Sequence, residues 1–259
     1  MSMPVTASEQ DLRTLAAIVT GDREDLPAQG LPLSLLSELM DQIRCDSVSL
    51  QGFDSGRQQV WFNQSIPYDG DYPDDLAAAL DQAHWGHYWH SGPCSYPDRT
   101  GDLRSVVTIA DFYSARQWHS VGTYCDIYRP QGLEHDLMLT LPPPPGPGAA
   151  PGRTVRLFFF RGSGTDFSER DRALLVLLRP HLHQAYLDAE RRRRPVPRLT
   201  PRQTDLLHLV AAGHTNTQIA RRLGLSEGTV RTHLENIYER LQVSSRTAAV
   251  IRAFPDRVA

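Results

Sequence analysis

The sequence predicts an α+β N-terminal part, built on an antiparallel sheet with flanking helices, followed by an all-α unit of four helices. Two pairs of β-like segments, each separated by turn-forming or proline-rich residues, occur before residue 161 and are typical of antiparallel hairpins. From residue 199 onward apolar residues recur at helical spacing. A run of arginines and prolines at 191–197 separates the two parts.

The N-terminal part is predicted to begin with two helices. Ser8 is the expected cap of the first helix, and Pro32 the expected start of the second, since proline is favoured in the first turn. Apolar residues recur every three or four positions in both segments, for example from Leu35 to Ile43. Each helix is therefore expected to bury one side.

Two hairpins supply the predicted sheet. Ser47–Phe53 and Gln58–Gln64 are β-like segments joined by a short turn that contains Gly56. His135–Leu141 and Thr154–Phe160 form the second pair, and the loop between them is too rich in proline to pair as a strand. Antiparallel pairing is predicted within each hairpin.

The segments around the hairpins are predicted to be mainly helical. Residues 74–90 and 114–119 are expected as helices, with a short strand at Val106–Phe112 before the second. The two prolines of Pro93–Pro97 indicate a turn that fixes a loop. Ser168 is positioned to cap a long final helix that continues towards the arginine run.

The last part of the chain, from Leu199, has the spacing of a compact helical unit. Gly213 and Gly224 stand where the first and second helices must stop, and Ser226 is positioned to cap a third. An apolar stripe at i, i+4, i+7 and i+11 of that third helix is formed by Val230, Leu234, Ile237 and Leu241. The opposite side of the helix is left polar.

The polar side of the third helix carries Arg231, Thr232 and Glu235. A short helix, a turn with glycine and a helix with an outward arginine near its start describe a helix-turn-helix, whose second helix lies in the major groove of DNA. Arginine can bind guanine O6 and N7 together, and glutamate can accept a hydrogen bond from cytosine N4. The segment is therefore predicted to bind double-stranded DNA.

This segment is similar to the DNA-binding domain of the LuxR/FixJ/GerE class of bacterial transcription regulators, and the similarity covers about a quarter of the chain. The residues that match the pattern of that class are Leu199, Thr200, Arg202, Gly213, Asn216, Ile219, Ala220, Leu223, Ser226, Thr229, Val230, Arg231, His233, Ile237, Arg240, Leu241, Val243 and Arg246. Gln203 departs from the pattern, which usually has glutamate there, and an internal ion pair is expected to be lost.

The resemblance implies how this unit would meet DNA. Arg231, Thr232 and Glu235 would face the bases. The residues expected near phosphate are Ser226, Thr229, Asn216, Thr217 and Gln218. Two interpretations of His233 stay open, a packed structural imidazole and a DNA contact. The fourth helix, which starts near Ser245, often contributes to dimerisation in this class.

Charge is distributed unevenly along the chain. Residues 191–259 carry 13 arginines and five acidic residues, whereas residues 1–190 carry 14 arginines and 25 acidic residues, so the net charge of −3 hides a basic and an acidic part. This contrast fits a DNA-binding unit joined to a part that stays off DNA. We therefore predict a sensor or dimerisation domain at 1–190, a linker at 191–197 and a DNA-binding domain at 198–259.

The front domain is not predicted to be a phosphoacceptor receiver, because receivers use a lysine and this chain contains none. Its order of helices, hairpins and a final helix, with the segment Phe167–Leu182, resembles a GAF domain. PAS-like and acyl-homoserine-lactone-binding domains are relatives in architecture. The tryptophan, tyrosine and Asp-Pro constellation of the lactone receptors is not recognisable, so their ligand is not expected here.

Aromatic residues are concentrated in the middle of the front domain. All four tryptophans and seven of the nine tyrosines fall between Trp61 and Tyr128. A mostly aromatic pocket suits a small apolar or aromatic effector, but aromatic residues also fill ordinary cores, and both interpretations stay open. The residues predicted to line such a ligand site are Trp61, Trp85, Trp89, Trp118 and Tyr124.

A rival site is suggested by the spacing of His84, His87, His90 and Cys94. Imidazoles three residues apart on a helix can approach one metal ion, and a cysteine follows shortly after them. The faces of His84 and His90 diverge, however, so a metal or redox centre is the alternative hypothesis. No catalytic residue or cofactor is predicted, because no nucleophile elbow, phosphate loop or paired-carboxylate cleft is recognisable.

The sequence thus predicts a bacterial DNA-binding transcription regulator and not an enzyme. A homodimer is expected, because two half-sites double the contacts of one small domain. A small-molecule effector is expected to act through the front domain, with RNA polymerase as a further contact. A front domain that binds no ligand and serves only in dimerisation or protein contacts is the alternative.

Three widely spaced cysteines predict no disulfide framework, and the lack of a signal peptide or long apolar segment predicts a cytoplasmic protein without a membrane contact.

Overall fold

The computed structural model describes residues 9–21, 23, 25–67, 74–144, 152–193, 199–241, 243 and 245–254. The chain divides into two compact units, Met1–Arg193 and Arg194–Ala259. The predicted cap Ser8 lies outside the described residues.

The N-terminal unit contains six α-helices and five strands among its described residues. The helices are α1 (Glu9–Thr20), α2 (Leu33–Ile43), α3 (Asp74–His87), α4 (Gly92–Thr100), α5 (Ala115–Trp118) and α6 (Glu169–Arg193). The strands are β1 (Ser47–Asp54), β2 (Gln59–Ile66), β3 (Val106–Thr108), β4 (His135–Leu141) and β5 (Arg153–Arg161).

The five strands form one antiparallel sheet in the order β2-β1-β5-β4-β3. Both predicted hairpins are present, since β1 pairs with β2 and β4 pairs with β5. The hairpins join through β1 and β5, which pair from Ser47 opposite Phe160 to the other end of β1. The predicted α+β class, an antiparallel sheet with flanking helices, is confirmed.

One face of the sheet is covered by α1, α2 and α6. Side chains alternate along a strand, so Leu50, Leu139 and Phe159 all point to this face, where they are fully buried. Apolar residues of the three helices complete the cluster, including the predicted inward side of α2 from Leu35 to Ile43. This α1–α6 face is the apolar centre of the unit.

The opposite face, here called the α3–α4 face, is covered by α3, α4 and the segment that follows β3. Phe53 and Phe158 of the sheet pack there with Trp85 of α3. A neighbouring cluster forms around Trp118 and Tyr128. Unlike the α1–α6 face, this face also buries several polar residues, which are described below.

The middle of the unit differs from the sequence prediction in its details. The helix predicted at 74–90 is α3 followed by a 3-10 turn at Tyr88–His90. The strand predicted at Val106–Phe112 ends at Thr108. Both the backbone N–H and the hydroxyl of Thr108 donate to the Asp111 carboxylate, at 2.8 and 3.3 Å, and this contact turns the chain out of the sheet.

Two further differences concern helices. Pro93–Pro97, predicted as a turn in a loop, belongs to α4. Pro93 lies in the first turn of that helix, where proline needs no N–H partner, and Gly101 ends the helix with a φ of 71°. The final helix α6 continues to Arg193, so the first three residues of the segment predicted as a linker are helical.

The C-terminal unit is all-α, as predicted. Its four described helices are α7 (Pro201–Ala211), α8 (Asn216–Leu223), α9 (Glu227–Leu241) and α10 (Arg246–Ala253). They pack around one apolar cluster that includes Leu206, Ile219, Val230 and Ile237. Throughout the described part of the chain, no helix is long and apolar enough to cross a membrane.

Candidate nucleic-acid interface

The helices α8 and α9 form the predicted helix-turn-helix. A capping box starts α8, in which the Thr215 N–H donates to Gln218 Oε1 at 2.8 Å and the Gln218 N–H donates to Thr215 Oγ1 at 3.3 Å. Gly224 ends α8 with a φ of 66°, a left-handed conformation that glycine adopts at low cost. Ser226 caps α9 by accepting from the Thr229 N–H at 3.1 Å. Both helices adjoining the turn are therefore held at their ends.

The helix α9 has one buried and one exposed side. The buried stripe consists of the predicted residues Val230, Leu234, Ile237 and Leu241. Arg231, Thr232 and Glu235 are exposed. The Thr232 hydroxyl donates to the Gly228 carbonyl at 3.2 Å, so it offers an external group only its acceptor lone pairs. A donor, an acceptor and a carboxylate thus lie together on the outer surface of one rigid helix.

Side chains at the start of α8 are engaged within the unit. Asn216 Oδ1 accepts from Arg246 at 3.1 Å, and the Thr217 hydroxyl donates to Glu227 at 3.1 Å. Gln218 is held by its capping box. Backbone N–H groups in the first turn of a helix have no acceptor within the helix. At the start of α8 a phosphate would therefore be bound by backbone N–H groups more than by these side chains.

The remaining predicted contacts lie around the start of α9. Ser226 and Thr229 are exposed, and their hydroxyl oxygens are hydrogen-bonded at 2.8 Å. His233 is half-buried, beside the apolar stripe. This position is compatible with a packed imidazole and with a DNA contact.

Two arginines join the helices of this unit through contacts that were not predicted from the sequence. Arg246 donates to Asn216 and to the His214 carbonyl, which ties α10 to the start of α8. Arg202 of α7 donates at 2.9 Å to the carbonyl of Leu223, the last residue of α8. Both arginines match the LuxR/FixJ/GerE pattern, which was their signal in the sequence.

Gln203, which departs from that pattern, forms a capping box with Thr200 at the start of α7. Its side-chain oxygen accepts from the Thr200 N–H at 3.0 Å, and its N–H donates to Thr200 Oγ1 at 3.3 Å. Glutamine and glutamate both serve in a capping box. The start of α7 is therefore capped without the carboxylate.

Comparison with known families identifies this unit. Residues 197–253 match the family described as bacterial regulatory proteins, luxR family. The C-terminal unit is a LuxR-type domain. Its match covers the four helices and both arginines that join them, and it leaves the N-terminal unit unassigned.

Relatives of the chain share mainly the LuxR-type domain. A probable transcriptional regulatory protein, SgaR of Hyphomicrobium methylovorum, is 42% identical over 79 residues, which are 30% of this chain and 37% of SgaR. The putative HTH-type transcriptional regulator y4qH of Sinorhizobium fredii is 23% identical over 227 residues, which are 86% of this chain and 60% of y4qH. The chain therefore spans less than two thirds of each. Among solved structures, Escherichia coli SdiA in complex with octanoyl-rac-glycerol aligns over 96% of both chains with 16% identity and a TM-score of 0.45.

The five aromatic residues predicted to line a ligand site do not share one environment. Trp85 lies in the core of the α3–α4 face. Trp118 and Tyr124 are in contact in the neighbouring cluster, with ring centroids 5.5 Å apart. Trp61 lies on β2 at the edge of the sheet, and Trp89 is 45% exposed. Trp118 and Tyr124 are thus the pair that the fold brings together.

Two surface grooves of the N-terminal unit lie away from these aromatic residues. One, of about 230 Å³, runs between α1, α2 and α6 and is lined in part by Leu35 and Ala185. The other, of about 420 Å³, lies beside β3 and is lined in part by Val106 and Phe112. Neither groove is lined by any of the five.

The structure does not assemble the rival site of His84, His87, His90 and Cys94. Burial lowers the pKa of His84 to about 4, whereas His90 is exposed and His87 pairs with Asp126 at 2.8 Å. Burial raises the pKa of the Cys94 thiol to about 11, which opposes the thiolate needed for redox or metal chemistry. Among the described residues, no three His, Cys, Asp or Glu side chains are grouped so that they could hold a metal.

A buried polar network on the α3–α4 face was not predicted. Arg156 of β5 is completely buried and donates to the Tyr88 hydroxyl at 2.6 Å, to Asp98 at 2.8 Å and to the Cys94 carbonyl at 2.5 Å. Tyr88 itself donates to Asp98. The sequence could have indicated this network, because it places a single arginine within an apolar strand. Such an arginine is expected to be buried, and a buried charge needs hydrogen-bonding partners.

The same layer contains buried polar atoms with no hydrogen-bond partner among the described residues. They are His84 Nε2, Ser91 Oγ, Thr123 Oγ1 and Asp136 Oδ1. The other oxygen of Asp136 accepts from the Tyr128 hydroxyl at 2.5 Å. Burial raises the pKa of Asp136 to about 7. Most buried polar groups in proteins are satisfied, so these four atoms are exceptions on the α3–α4 face.

Proposed function

We propose that this protein is a bacterial transcription regulator that binds double-stranded DNA sequence-specifically through its LuxR-type domain. Arg231, Thr232 and Glu235 would contact bases from the exposed side of α9. The observation that carries this proposal is the position of these three side chains opposite the buried stripe of a capped helix. Ser226, Thr229 and the start of α8 would contact phosphate, with His233 as a further DNA contact or a packing residue.

Binding-site selection from random DNA tests the base contacts. Wild type is expected to enrich one sequence, and Arg231→Ala to lose preference at one position, because a bidentate arginine–guanine contact contributes about 1–3 kcal/mol of discrimination. Arg240→Ala is the matched control, since Arg240 is exposed near the other end of α9. It should leave the preferred sequence unchanged. An Arg231→Ala protein that enriches the wild-type sequence with equal preference would refute the assignment.

We further propose that the regulator acts as a homodimer that contacts RNA polymerase on DNA. Two copies would bind two half-sites about 34–36 Å apart or at multiples of that spacing, which doubles the contacts that one LuxR-type domain makes. The exposed apolar residue Ile251 of α10, which is 47% exposed, supports a protein contact on this unit.

The N-terminal unit is proposed to control DNA binding through a small molecule and not through phosphorylation. The buried polar atoms without partners on the α3–α4 face support this, because a ligand that bonded to them would stabilise the state that binds it. The favoured alternative is a unit that serves only in dimerisation or protein contacts, which the dense aromatic packing around Trp85 and Trp118 supports. Native mass spectrometry separates the two: a mass excess lost on denaturation supports a ligand, and bare chains support the alternative.

A further inference from the structure

The end of α6 is bound to a loop of the N-terminal unit through Arg193. This arginine is the last residue of α6 and of the unit, and the rest of the predicted linker follows it in the sequence. Its guanidinium donates to the Pro27 carbonyl at 2.9 Å and to the Gly30 carbonyl at 2.6 Å. It also pairs with Glu190 of α6 at 2.7 Å, and only 15% of the side chain is exposed. These contacts, here called the Arg193 latch, hold one planar group in one orientation.

The loop that accepts from Arg193, residues 27–31, is itself bound to the sheet. Gln64 of the edge strand β2 accepts from the Leu31 N–H at 2.9 Å and donates to the Leu31 carbonyl at 2.7 Å. Gly30 has a φ of 86°, and a Cβ at this position would lie 1.9 Å from Gln64 Oε1, so the approach requires glycine. Hydrogen bonds therefore connect β2, the 27–31 loop and the end of α6.

The neighbouring arginines of the run are placed differently. Arg191 and Arg192 are exposed, and Arg191 pairs with Asp188 within α6. Among the described residues of the run, Arg193 is the one whose side chain is mostly buried. Arginines beside a DNA-binding domain often contact phosphate. The position of Arg193 is instead set by partners in the N-terminal unit.

We propose that Arg193 is a positioning residue that fixes the point at which the linker leaves the N-terminal unit, and that the 27–31 loop is the element through which this unit controls the linker. A linker that starts from a fixed point has fewer conformations than one that starts from a frayed helix end. Less conformational entropy is then lost when the LuxR-type domain binds DNA. This role rests on the proposed control of DNA binding, to which it gives a route.

Hydrogen exchange of the full chain tests the Arg193 latch without DNA. Arg193→Lys is expected to increase the exchange rate of peptides from residues 186–193 and 27–31 roughly tenfold, because lysine keeps the charge but lacks the planar fork of donors. Arg192→Lys is the matched control, since Arg192 is exposed in the same turn of α6. It should exchange as wild type. Equal exchange rates in the two variants would overturn the latch.

A substitution on β2 tests whether the 27–31 loop couples the sheet to the end of α6. The hydrogen bonds of Gln64 are made to Leu31, yet Gln64→Ala is expected to increase exchange of residues 186–193 as well as of the loop. Gln59→Ala is the control, since Gln59 is exposed at the start of the same strand. Faster exchange of the loop alone would overturn the coupling, even if Arg193→Lys failed to fold.

Affinity for the DNA sequence that wild type enriches tests the consequence for DNA binding. Arg193→Lys is expected to bind about three- to tenfold more weakly, because DNA binding must then order the freed helix end. Arg192→Lys should bind as wild type. Arg193→Gln should leave the slope of log K against log salt concentration unchanged. A slope reduced by about 1 per bound copy would make Arg193 a phosphate contact and overturn the proposal.

The outcomes separate the Arg193 latch from the proposed function. A wild type that enriches no DNA sequence, together with faster exchange in Arg193→Lys, would support the latch and refute the regulator. A wild type that enriches a sequence, together with unchanged or tighter binding by Arg193→Lys, would support the regulator and refute the role of Arg193 in its control.

Discussion

Burial on the α3–α4 face changes the protonation of individual side chains in opposite directions. It raises the pKa of Asp136 to about 7 and lowers the pKa of His84 to about 4, because a buried site disfavours the charged form of either group. The buried guanidinium of Arg156 is instead stabilised by hydrogen bonds to Asp98 and the Tyr88 hydroxyl. The face therefore combines one fully partnered polar network with single groups that lack partners.

Replacing Asp136 with Asn is expected to stabilise the folded protein at neutral pH. The pKa of Asp136 is about 7 in the folded state and 3.8 without the fold, so the folded state binds more protons between these values. The free energy of unfolding of wild type therefore falls as pH rises through this window, and it falls no further above it. Asn cannot lose a proton. The stability advantage of Asp136→Asn should grow by up to about 4 kcal/mol between pH 4 and pH 7.

Urea unfolding followed by tryptophan fluorescence measures this advantage, because all four tryptophans lie in the N-terminal unit. The titration of His84 acts on wild type and variant alike and cancels in their difference. An advantage that stayed constant from pH 4 to pH 8 would contradict a buried, ionisable Asp136.

At the level of elements, the features of the fold that depend on local sequence patterns were predicted. The features that depend on contacts between distant segments were not. Both hairpins and the helices of the LuxR-type domain follow from periodicity and turn residues a few positions apart. The pairing of β1 with β5 does not, because no local pattern specifies which edges of the two hairpins meet. The early end of β3 depends on one side chain, Asp111, that competes with the next strand contact.

At the candidate site, too, the features that follow from local sequence patterns were predicted and the long-range contacts were not. The exposure of Arg231, Thr232 and Glu235 follows from helical periodicity, and it was predicted. The contact of Asn216 with Arg246 joins two helices 30 residues apart in the chain, and periodicity contains no information about it. An aromatic ligand site could not be distinguished from a core, because both need the same residues.

Two glycines at the helix-turn-helix are expected to respond oppositely to alanine. Gly224 has a φ of 66° and open space around it, so Gly224→Ala would destabilise the LuxR-type domain by about 1–2 kcal/mol through backbone strain alone. Gly228 lies inside the helical part of α9, and the nearest atom to an added Cβ is Ser226 Oγ at 3.8 Å. Gly228→Ala should stabilise this domain by up to about 1 kcal/mol.

Hydrogen exchange of peptides from residues 199–241 in the full chain measures both glycine variants, since this domain contains no tryptophan. Gly228→Ala is the internal control for adding a methyl group to the same region. Protection changes of the same sign in the two variants would contradict the left-handed turn at Gly224.

At the scale of the whole molecule, opposite charges are carried by different units. The formal net charge is −8 for the N-terminal unit, residues 1–193, and +5 for the C-terminal unit, residues 194–259. Charges are screened over about 8 Å at physiological ionic strength, so a DNA phosphate responds to nearby residues and hardly to the total. A chain with a net charge of −3 can therefore bind DNA, provided that its basic surface makes the contact.

The salt dependence of DNA binding tests whether the affinity for DNA is determined by the charge near the contact or by the total charge of the chain. Arg221 is exposed on α8 of the LuxR-type domain, and Arg104 is exposed in the N-terminal unit. Replacing either with Gln lowers the net charge equally. Each phosphate contact contributes about 0.9 to the slope of log K against log salt concentration, so Arg221→Gln should reduce that slope by about 1 per bound copy and Arg104→Gln should leave it unchanged. Fluorescence anisotropy with labelled random-sequence DNA between about 50 and 200 mM NaCl gives both slopes. Equal reductions would show that the total charge determines the slope, and an unchanged slope for Arg221→Gln would show that Arg221 contacts no phosphate.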